Sequence, residues 1–305
     1  MNALQYLQSL MLVVLFAVPA GAAASAPQPT AGATVSVGDF AVVPLLDGSH
    51  SFTLSLFKGA DEAAMRQAAG GQSSIPGAFN VFLIKLGKER FLVDAGNGTL
   101  RPDRAGQLLL CLKEAKTAPE DIGKIFITHL HGDHIGGLLQ DGKPVFPKAK
   151  VYVAKAEYDY WMSDEAMRQS PENRRGGFAL ARNVLRVLEQ NTLLAFFTPG
   201  DVIAPDIASV ALFGHTPGHT GFLLTSKGKK LFFVGDLLHG AALQMPRPDI
   251  TIDFDVDQLQ AKETRLRVFK QLAEDTTPIA GAHLPFPGIG LVRPDGAGYK
   301  LEALR

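Results

Sequence analysis

Cysteine is nearly absent from this chain of 305 residues, which has only one, and the two signs of charge balance. A single thiol cannot form an intramolecular disulfide, so core packing or bound metal must stabilise the fold. The 30 Lys and Arg against 30 Asp and Glu leave no basic excess, which removes the main source of affinity for nucleic acid. With 46% hydrophobic and 20% charged residues, a disordered chain, a coiled coil and a collagen-like repeat are excluded.

Long apolar runs are also missing, except at the N-terminus. Residues 10–18 form an unbroken apolar stretch, which has the length of a signal-peptide core and is too short to span a bilayer. Ala22 and Ala24 each end an Ala-x-Ala pattern that favours cleavage. The sequence therefore predicts a signal peptide over residues 1–24 and a periplasmic or secreted protein with no stable membrane span after cleavage. An uncleaved anchor is the alternative, because no basic residue precedes Lys58.

The rest of the chain is expected to comprise a flexible leader over residues 25–36 and a single domain over 37–305. Apolar runs typical of strands alternate with amphipathic stretches in this domain, which predicts a layered α/β fold. Helices are predicted over 101–116, 178–190 and 259–273, the last with Leu259, Leu266, Phe269 and Ala273 facing inward. The Gly- and Ser-rich stretch 58–76 is interpreted as a mobile flap over the site or a plain connector.

Histidines are concentrated where a predicted strand ends. The apolar strand predicted over residues 122–128 leads directly into His129, His131, Asp133 and His134. In extended backbone the first two histidines project to the same side, and a turn at the intervening glycine brings the other two side chains close. Imidazoles and a carboxylate at this spacing suit a borderline metal such as zinc. A solvated polar loop is a poor alternative, since adjacent charged histidines repel one another.

Three further candidates follow other predicted strands. His219, Asp236 and His283 each come after an apolar run, where α/β sheets present ligands. Each is weak evidence alone, because a single histidine at a strand end is more often structural. Added to the first motif, they give five imidazoles and two carboxylates, enough for two metal ions that share one carboxylate.

These motifs resemble those of a known family. His-x-His-x-Asp-His, a later Pro-Gly-His, then Gly-Asp and a late His are similar to the pattern of the metallo-β-lactamase superfamily of hydrolases. The segments 214–220 and 282–290 are similar to the methyl parathion hydrolase branch, which includes aryl-ester and dihydrocoumarin-type lactone hydrolases. The resemblance implies an αβ/βα four-layer sandwich, the metallo-β-lactamase fold, for the single hydrolase domain over 37–305. True β-lactamases usually have cysteine where Asp236 stands, so antibiotic hydrolysis is not expected.

The resemblance also implies roles for individual residues. It places one metal on His129, His131 and His219, and a second on Asp133, His134 and His283, with Asp236 bridging both. It gives Asp94 and Thr128 a supporting role behind these ligands. The pattern implies two divalent ions, expected to be Zn²⁺, with iron, manganese and cobalt as alternatives. His50, His215 and His239 have no metal role in it, although His239 is a candidate to face the pocket.

Two such ions lower the pKa of a shared water from 15.7 to about 7 and so supply a bridging hydroxide that attacks a carbonyl. In the implied mechanism Asp133 and Asp236 are the catalytic residues, and Asp133 moves a proton toward the leaving group. Aryl esters and lactones are the expected substrates, with promiscuous hydrolysis of organophosphate triesters. The alternatives are a dedicated organophosphate hydrolase, an acyl-homoserine lactone or thioester hydrolase, and a binding protein in which metal only stabilises the fold.

The substrate pocket is expected to be apolar. Trp161, Phe178 and Phe286 are the predicted wall residues, and for each one ordinary core packing is the alternative. Phe286 is favoured because it follows the predicted ligand His283 by three residues. The apolar helices near Trp161 also allow a homodimer.

Overall fold

The structure is a computed structural model that describes residues 30–304, so the predicted signal peptide lies outside the described residues. No helix within 30–304 is long and apolar enough to cross a membrane. The strands, in chain order, are β1 (Thr30–Ala31), β2 (Val35–Val37), β3 (Phe40–Thr53), β4 (Phe57–Lys58), β5 (Ser74–Leu86), β6 (Glu89–Val93), β7 (Lys124–Phe126), β8 (Leu139–Gln140), β9 (Lys143–Pro144), β10 (Lys150–Ala154), β11 (Leu194–Phe197), β12 (Val202–Ala204), β13 (Ile207–Ala211), β14 (Thr220–Ser226), β15 (Lys229–Gly235), β16 (Thr251–Ile252), β17 (Ile279–Gly281), β18 (Ile289–Asp295) and β19 (Gly298–Ala303). The helices are α1 (Glu62–Ala68), α2 (Leu108–Glu114), α3 (Gly132–Ile135), α4 (Lys155–Met162), α5 (Asp164–Gln169), α6 (Arg175–Gln190), α7 (Ala241–Gln244) and α8 (Gln258–Asp275).

Two large sheets form the centre of the fold. The first has the order β1–β3–β5–β6–β7–β10–β11, with β2 beside β3, and the second has the order β12–β13–β14–β15–β17–β18–β19. The strands β6, β7, β10 and β11 run parallel to one another, and so do β15 and β17. Parallel neighbours end at the same edge of a sheet, so the residues that follow these strands are brought together.

Successive side chains along each strand point to opposite faces of its sheet, and this alternation divides the core into layers. Phe82 and Phe233 meet in the core between the two sheets. Their neighbours point the other way: Leu83 packs with helices α2, α4 and α6, and Phe232 packs with α8. Each fully buried side chain of this kind contributes about 1.5–3 kcal/mol to folding. The order of layers is thus helix, sheet, sheet, helix, and the predicted αβ/βα sandwich is confirmed.

The segments predicted as loops contain regular structure. Strand β1 and the first residues of β2 fall inside the expected leader, and both pair antiparallel with β3. The domain therefore begins before residue 37. The stretch 58–76 contains α1, whose Met65 is buried in an apolar cluster with Phe57 and Leu243. Apolar burial therefore anchors this stretch through α1, and its mobility stays a prediction.

The helix predicted over 101–116 is shorter in the structure, where α2 spans Leu108–Glu114. Asp47 accounts for the difference. Its buried carboxylate accepts hydrogen bonds from the backbone N–H groups of Asn97 at 2.8 Å, Gly106 at 3.3 Å and Leu108 at 2.9 Å. These backbone N–H groups donate to Asp47 and not to the carbonyl oxygens of a helix. The segment before α2 is therefore held as a loop.

Helix α8 presents a different face to the core than its sequence suggests. Leu259 and Leu266 were expected to face inward, yet they are 61% and 40% exposed. The charged residue Arg265 lies inside instead, where its guanidinium donates to the carbonyl oxygens of Leu237 at 3.0 Å and Ile250 at 2.7 Å. These hydrogen bonds offset the cost of burying the charge.

Candidate metal centre

Asp236 lies at the centre of a buried cluster of polar side chains. The preceding residue, Gly235, ends β15 with a φ of 50°. A Cβ at this position would lie 2.6 Å from His219 Nε2 and 2.9 Å from Thr128 Cβ. Only glycine fits this conformation and this space without strain, so the turn that directs Asp236 into the cluster depends on it.

The carboxylate of Asp236 is surrounded by Nε2 atoms. The distances to Oδ2 are 3.0 Å from His239 and from His283, 3.3 Å from His215 and 3.6 Å from His129, and the distance to Oδ1 is 3.2 Å from His134. All these side chains are buried. Five imidazoles around one carboxylate, out of contact with water, form a set of ligands rather than a set of ordinary ion pairs.

The first group of donors is formed by His129, His131 and His215 together with Asp236. His131 Nδ1 lies 2.9 Å from His129 Nε2 and 3.0 Å from His215 Nε2. The donor atoms of these four residues lie within 4.8 Å of one another, and each ring nitrogen offers a lone pair when it carries no proton. A cation placed among them would accept all three lone pairs, which is the nitrogen-rich environment that zinc prefers.

The second group is formed by Asp133, His134 and His283. Oδ2 of Asp133 lies 3.5 Å from His283 Nε2 and 3.9 Å from His134 Nε2. His134 Nε2 and Asp236 Oδ1 are buried and make no hydrogen bond within the described part of the chain, although they lie 3.2 Å apart. Unpaired buried polar atoms are costly, so their convergence fits a second cation at this position.

His219 does not join either group, which corrects the prediction from the sequence. Its Nδ1 donates to the carbonyl oxygen of Leu212 at 2.9 Å, and its Nε2 accepts the backbone N–H of Asp236 at 3.1 Å. Burial lowers the pKa of His219 to about 3, so the ring is neutral and both nitrogens are occupied. His215, which the sequence leaves without a role, takes its place among the donors. Both histidines follow a glycine in Gly-His-Thr-Pro-Gly-His, so the local pattern does not distinguish them.

Four of the donor imidazoles, those of His129, His134, His215 and His283, are held by their other ring nitrogen. Asp94 Oδ2 lies 2.8 Å from His134 Nδ1, and Thr128 Oγ1 lies 3.1 Å from His129 Nδ1. His215 Nδ1 is 2.9 Å from Asp255 Oδ1, and His283 Nδ1 donates to the carbonyl oxygen of Ala78 at 3.0 Å. Such partners fix the tautomer and the ring orientation of metal ligands. The sequence predicts the positions of Asp94 and Thr128 but gives no signal for Asp255.

The protonation states of the cluster suit a cation. Burial lowers the pKa of His129 and of His131 well below its ordinary value, which leaves both rings neutral. Burial opposes the charge on Asp236, but the neighbouring histidines, His134 first, hold the pKa of its carboxyl well below the usual range. Burial likewise opposes the charge on His215, but hydrogen bonds to Asp236 and Asp255 raise its pKa to about 9. Metal binding there would therefore release a proton.

Replacing Asp94 by asparagine is expected to weaken the second metal position. Asp94 has a φ of 63°, a conformation that asparagine also tolerates, so the backbone should remain in place. The charged partner of His134 is lost, and changes of this kind cost roughly 10–100-fold in metal affinity. Metal content measured during titration with zinc checks this result, with Asp103→Asn as an exposed control. Equal zinc affinities in the two variants would contradict it.

Glu157, a buried residue of α4, connects the two ligand-bearing loops. Its Oε1 accepts the N–H of Leu130 at 2.9 Å and the indole Nε1–H of Trp161 at 2.6 Å. Its Oε2 accepts the hydroxyl of Thr216 at 2.7 Å and the N–H of Gly218 at 2.9 Å. One carboxylate thus joins the loop of His129 and His131 to the loop of His215. The sequence gives no indication of this role, because the partners are far apart along the chain.

Glu157→Gln is expected to lower both stability and activity. The amide NH₂ that replaces either oxygen would face two donors, and each donor left unsatisfied costs about 1–3 kcal/mol. We expect a lower melting temperature and about tenfold lower kcat/KM as the loops loosen. Thermal unfolding and kinetics of the zinc-loaded protein provide the measurement. Glu62→Gln, at a residue outside the pocket with a 73% exposed side chain, is the control, and equal melting temperatures for the two variants would rule out the role.

A pocket of about 670 Å³ opens above the cluster. Trp161 and Phe178 line it, as expected, and so do His239 and His50. Phe286 is not among the lining residues, because its half-buried ring lies beside Gly32 instead. The prediction for Phe286 is therefore wrong, since the turn after His283 directs the ring away from the site. Several other wall residues had no signal in the sequence, among them Phe52, Phe79, Phe254 and Arg101.

A four-layer αβ/βα sandwich with overlapping groups of His and Asp donors, among them a third group of Asp236, His239 and His283, is typical of a class of metal-dependent hydrolases. The sequence profile of the Metallo-beta-lactamase superfamily matches residues 75–283. The chain belongs to this superfamily and has its fold.

Two solved structures are similar over nearly the whole chain. Hydrolase AbOPH of the beta lactamase superfamily is 29% identical with a TM-score of 0.86, covering 92% of this chain and 99% of that one. AidC, a dizinc quorum-quenching lactonase in complex with the product N-hexnoyl-L-homoserine, is 26% identical with a TM-score of 0.84, covering 91% of this chain and 98% of that one. The donor groups and the dizinc neighbour together indicate two divalent ions.

Curated relatives match over a shorter region. The probable metallo-hydrolase Rv2300c of Mycobacterium tuberculosis is 26% identical over 180 residues, which are 52% of this chain and 56% of that protein. Acyl-coenzyme A thioesterase MBLAC2 of Homo sapiens is 26% identical over 179 residues, 54% of this chain and 60% of that protein. The matched region thus spans less than two thirds of the length of these relatives.

Proposed function

We propose that the protein is an exported di-zinc hydrolase of esters and lactones, with aryl esters and aryl-fused lactones as preferred substrates. The observation that carries the proposal is the convergence of two donor groups at the base of a pocket with aromatic walls. Two bound divalent ions would lower the pKa of a shared water to about 7 and polarise the substrate carbonyl. The site therefore needs no serine or cysteine nucleophile.

The hydroxyl groups in the pocket support this view. Ser163 Oγ accepts the N–H of Ala166 at 3.1 Å, and Ser170 Oγ donates to the carbonyl oxygen of Ala166 at 2.8 Å. Both serines are thus bonded to the helix backbone rather than to a histidine, so neither has the base that an activated serine requires. The lone cysteine, Cys111, is buried in the outer core, and burial raises the pKa of its thiol to about 11.

Asp133 and Asp236 are the acidic residues proposed to take part in the reaction. Asp133 lines the pocket with 19% of its side chain exposed, whereas Asp236 is 3% exposed. Burial opposes the charge on Asp133, but His134 and His283 lower the pKa of its carboxyl. An ionised carboxylate at the pocket surface can accept a proton from the attacking water and pass it to the leaving group. Asp236, which lies among the buried imidazoles, would instead help to hold the cations.

The walls favour a flat apolar group. The Trp161 and Phe178 rings lie 4.7 Å apart, and the Trp161 ring lies 5.5 Å from that of His131. An aryl leaving group placed on these rings would lie beside the metal ligands, and its anion needs little protonation. Similarity to AidC and to thioesterases favours a second candidate, hydrolysis of acyl-homoserine lactones or thioesters.

The test is a panel of substrates for the purified, zinc-loaded protein. We expect the highest kcat/KM for dihydrocoumarin or an aryl ester, and lower values for methyl parathion, an acyl-homoserine lactone and an acyl thioester. A preference for methyl parathion would indicate a dedicated organophosphate hydrolase, and a preference for the lactone or thioester would support the second candidate. If no substrate of the panel is hydrolysed, the remaining interpretation is a binding protein in which metal only stabilises the fold.

Export is proposed from the apolar stretch 10–18 and the small residues after it. The mature protein isolated from the cell envelope or medium should begin after Ala22 or Ala24. N-terminal sequencing and cell fractionation test this. An intact N-terminus in the membrane fraction would indicate an uncleaved anchor, and one in the cytoplasm would refute export.

A further inference from the structure

We propose that Arg101 forms an anion-binding subsite at the mouth of the pocket, and that the protein prefers esters or lactones that carry a negatively charged group. This inference rests on the proposed hydrolysis of esters and lactones and narrows its substrate class. The evidence comes from the position of Arg101, from its lack of a charged partner and from the other charges of the pocket.

The backbone of Arg101 is held in place. Its carbonyl oxygen accepts the N–H groups of Arg104 at 3.0 Å and Ala105 at 2.8 Å. Asp47 fixes the loop on both sides through its hydrogen bonds to Asn97 and Leu108. Asp47 is fully buried, so these bonds are shielded from water. The guanidinium thus extends from a loop that is already ordered. Binding of a ligand therefore does not carry the entropic cost of ordering this loop.

The guanidinium of Arg101 has no acidic partner. Its Cζ lies 5.8 Å from the centre of the Phe79 ring, and no Asp or Glu oxygen in the described residues 30–304 lies within 4.0 Å of it. The nearby Arg104 differs, since its Nη2 lies 2.7 Å from Asp103 Oδ2. Arg101 therefore offers a planar set of donors that matches a carboxylate and remains available to a ligand.

The Phe79 ring connects Arg101 to the metal centre. The same ring lies 5.6 Å from that of His283, one of the second donor group, and 5.8 Å from that of His50. Arg101, Phe79, Asp133 and His283 all line one pocket. A substrate whose scissile bond lies at the metal centre can therefore extend along Phe79 to the guanidinium.

The other charges of the pocket also favour an anion. Arg174 lines the wall, and its Nη1 lies 3.5 Å from the carbonyl oxygen of Asp255. No Asp or Glu oxygen of the described residues 30–304 lies within 4.0 Å of its guanidinium. Glu165, the one pocket carboxylate outside the metal centre, is paired with Arg168 at 2.9 Å. Beyond the metal centre the described pocket thus carries unpaired positive charge and no unpaired negative charge.

Binding and catalysis can be tested separately. For binding, linear dicarboxylates of five to eight carbons are compared with their half-amides, which retain one carboxylate for the metals and replace the other by a neutral group. Trp161 is the only tryptophan and lines the pocket, so its fluorescence reports occupancy. We expect the zinc-loaded protein to bind at least one diacid about fivefold more tightly than its half-amide, and this preference to decrease as salt rises.

The matched variants are Arg101→Gln and Arg104→Gln. The first should abolish the preference for the diacid and leave the affinity for the half-amide unchanged, and the second should retain the preference. A preference that survives in Arg101→Gln would place the second carboxylate elsewhere and overturn the proposal. Equal affinities of the unmodified protein for every diacid and its half-amide would also overturn it.

For catalysis, the mono-4-nitrophenyl esters of the same diacids are compared with those of the half-amides. We expect about fivefold higher kcat/KM for the anionic ester, expressed mainly in KM and lost in Arg101→Gln. Hydrolysis without charge preference would overturn the subsite and retain the proposed function. No hydrolysis combined with Arg101-dependent binding would refute the proposed function and retain the subsite.

Discussion

Removal of divalent metal will abolish hydrolysis, with kcat/KM on an aryl ester falling by about a thousandfold or more. The size of the effect follows from the absence of another nucleophile in the described pocket, whose two serines are bonded to backbone. The ions would also supply the stabilisation of the developing oxyanion, and loss of a single donor at such a site already costs about 10²–10³. Nothing in residues 30–304 replaces both contributions.

The measurement is activity after chelation and dialysis, with metal content determined on the same sample. Added zinc should restore activity in proportion to occupancy, and cobalt or manganese should be compared at equal occupancy. Magnesium serves as the control, because a nitrogen-rich donor set does not suit it. Activity that persists in protein shown to be free of metal would refute both the mechanism and the ligand assignment.

The second large effect distinguishes His215 from His219. His215→Ala should remove the metal of the first group and lower kcat/KM by about a thousandfold. His219→Ala should retain both metals at saturating zinc, because its ring nitrogens bond to Leu212 and Asp236 rather than to the donor groups. It should instead destabilise the fold by about 1–3 kcal/mol for each buried group left unpaired.

Metal stoichiometry and denaturant unfolding of the two variants give the test. The matched pair controls for loss of a buried imidazole, since both rings are almost fully buried. If His219→Ala loses a metal and His215→Ala does not, the assignment made from the sequence is correct and the one made from the geometry is wrong.

The comparison of these two histidines shows what the sequence contains and what it does not. The donors at residues 129–134 were predictable, because they follow one strand within a few residues and their spacing alone brings them together. His215 and His219 have nearly identical neighbours in the chain. The choice between them depends on contacts with Leu212, which follows β13, and with Asp255, which lies in the loop before α8. A local pattern contains no such information.

In the fold, too, the features that depend on local sequence were predictable and those that depend on distant residues were not. Alternating strands and amphipathic stretches predicted the layers, because side-chain periodicity is a local property. The extent of α2 and the inward face of α8 were predicted wrongly, since each depends on one distant polar group. Asp47 holds the loop before α2, and the guanidinium of Arg265 on α8 binds two carbonyl oxygens. The role of Glu157 was missed for the same reason.

The donors come from both halves of the sandwich. His129, His131 and His134 follow a strand of the first sheet, whereas Asp236 and His283 follow strands of the second. A bound ion is therefore a cross-link between the halves in a protein that has no disulfide to serve that purpose. The contribution of the ion to stability depends on the concentration of free zinc around the protein. Above the dissociation constant, each tenfold rise in free zinc adds about 1.4 kcal/mol per site to the free energy of unfolding. The thermal resistance of this protein is thus a property of its medium as much as of its sequence.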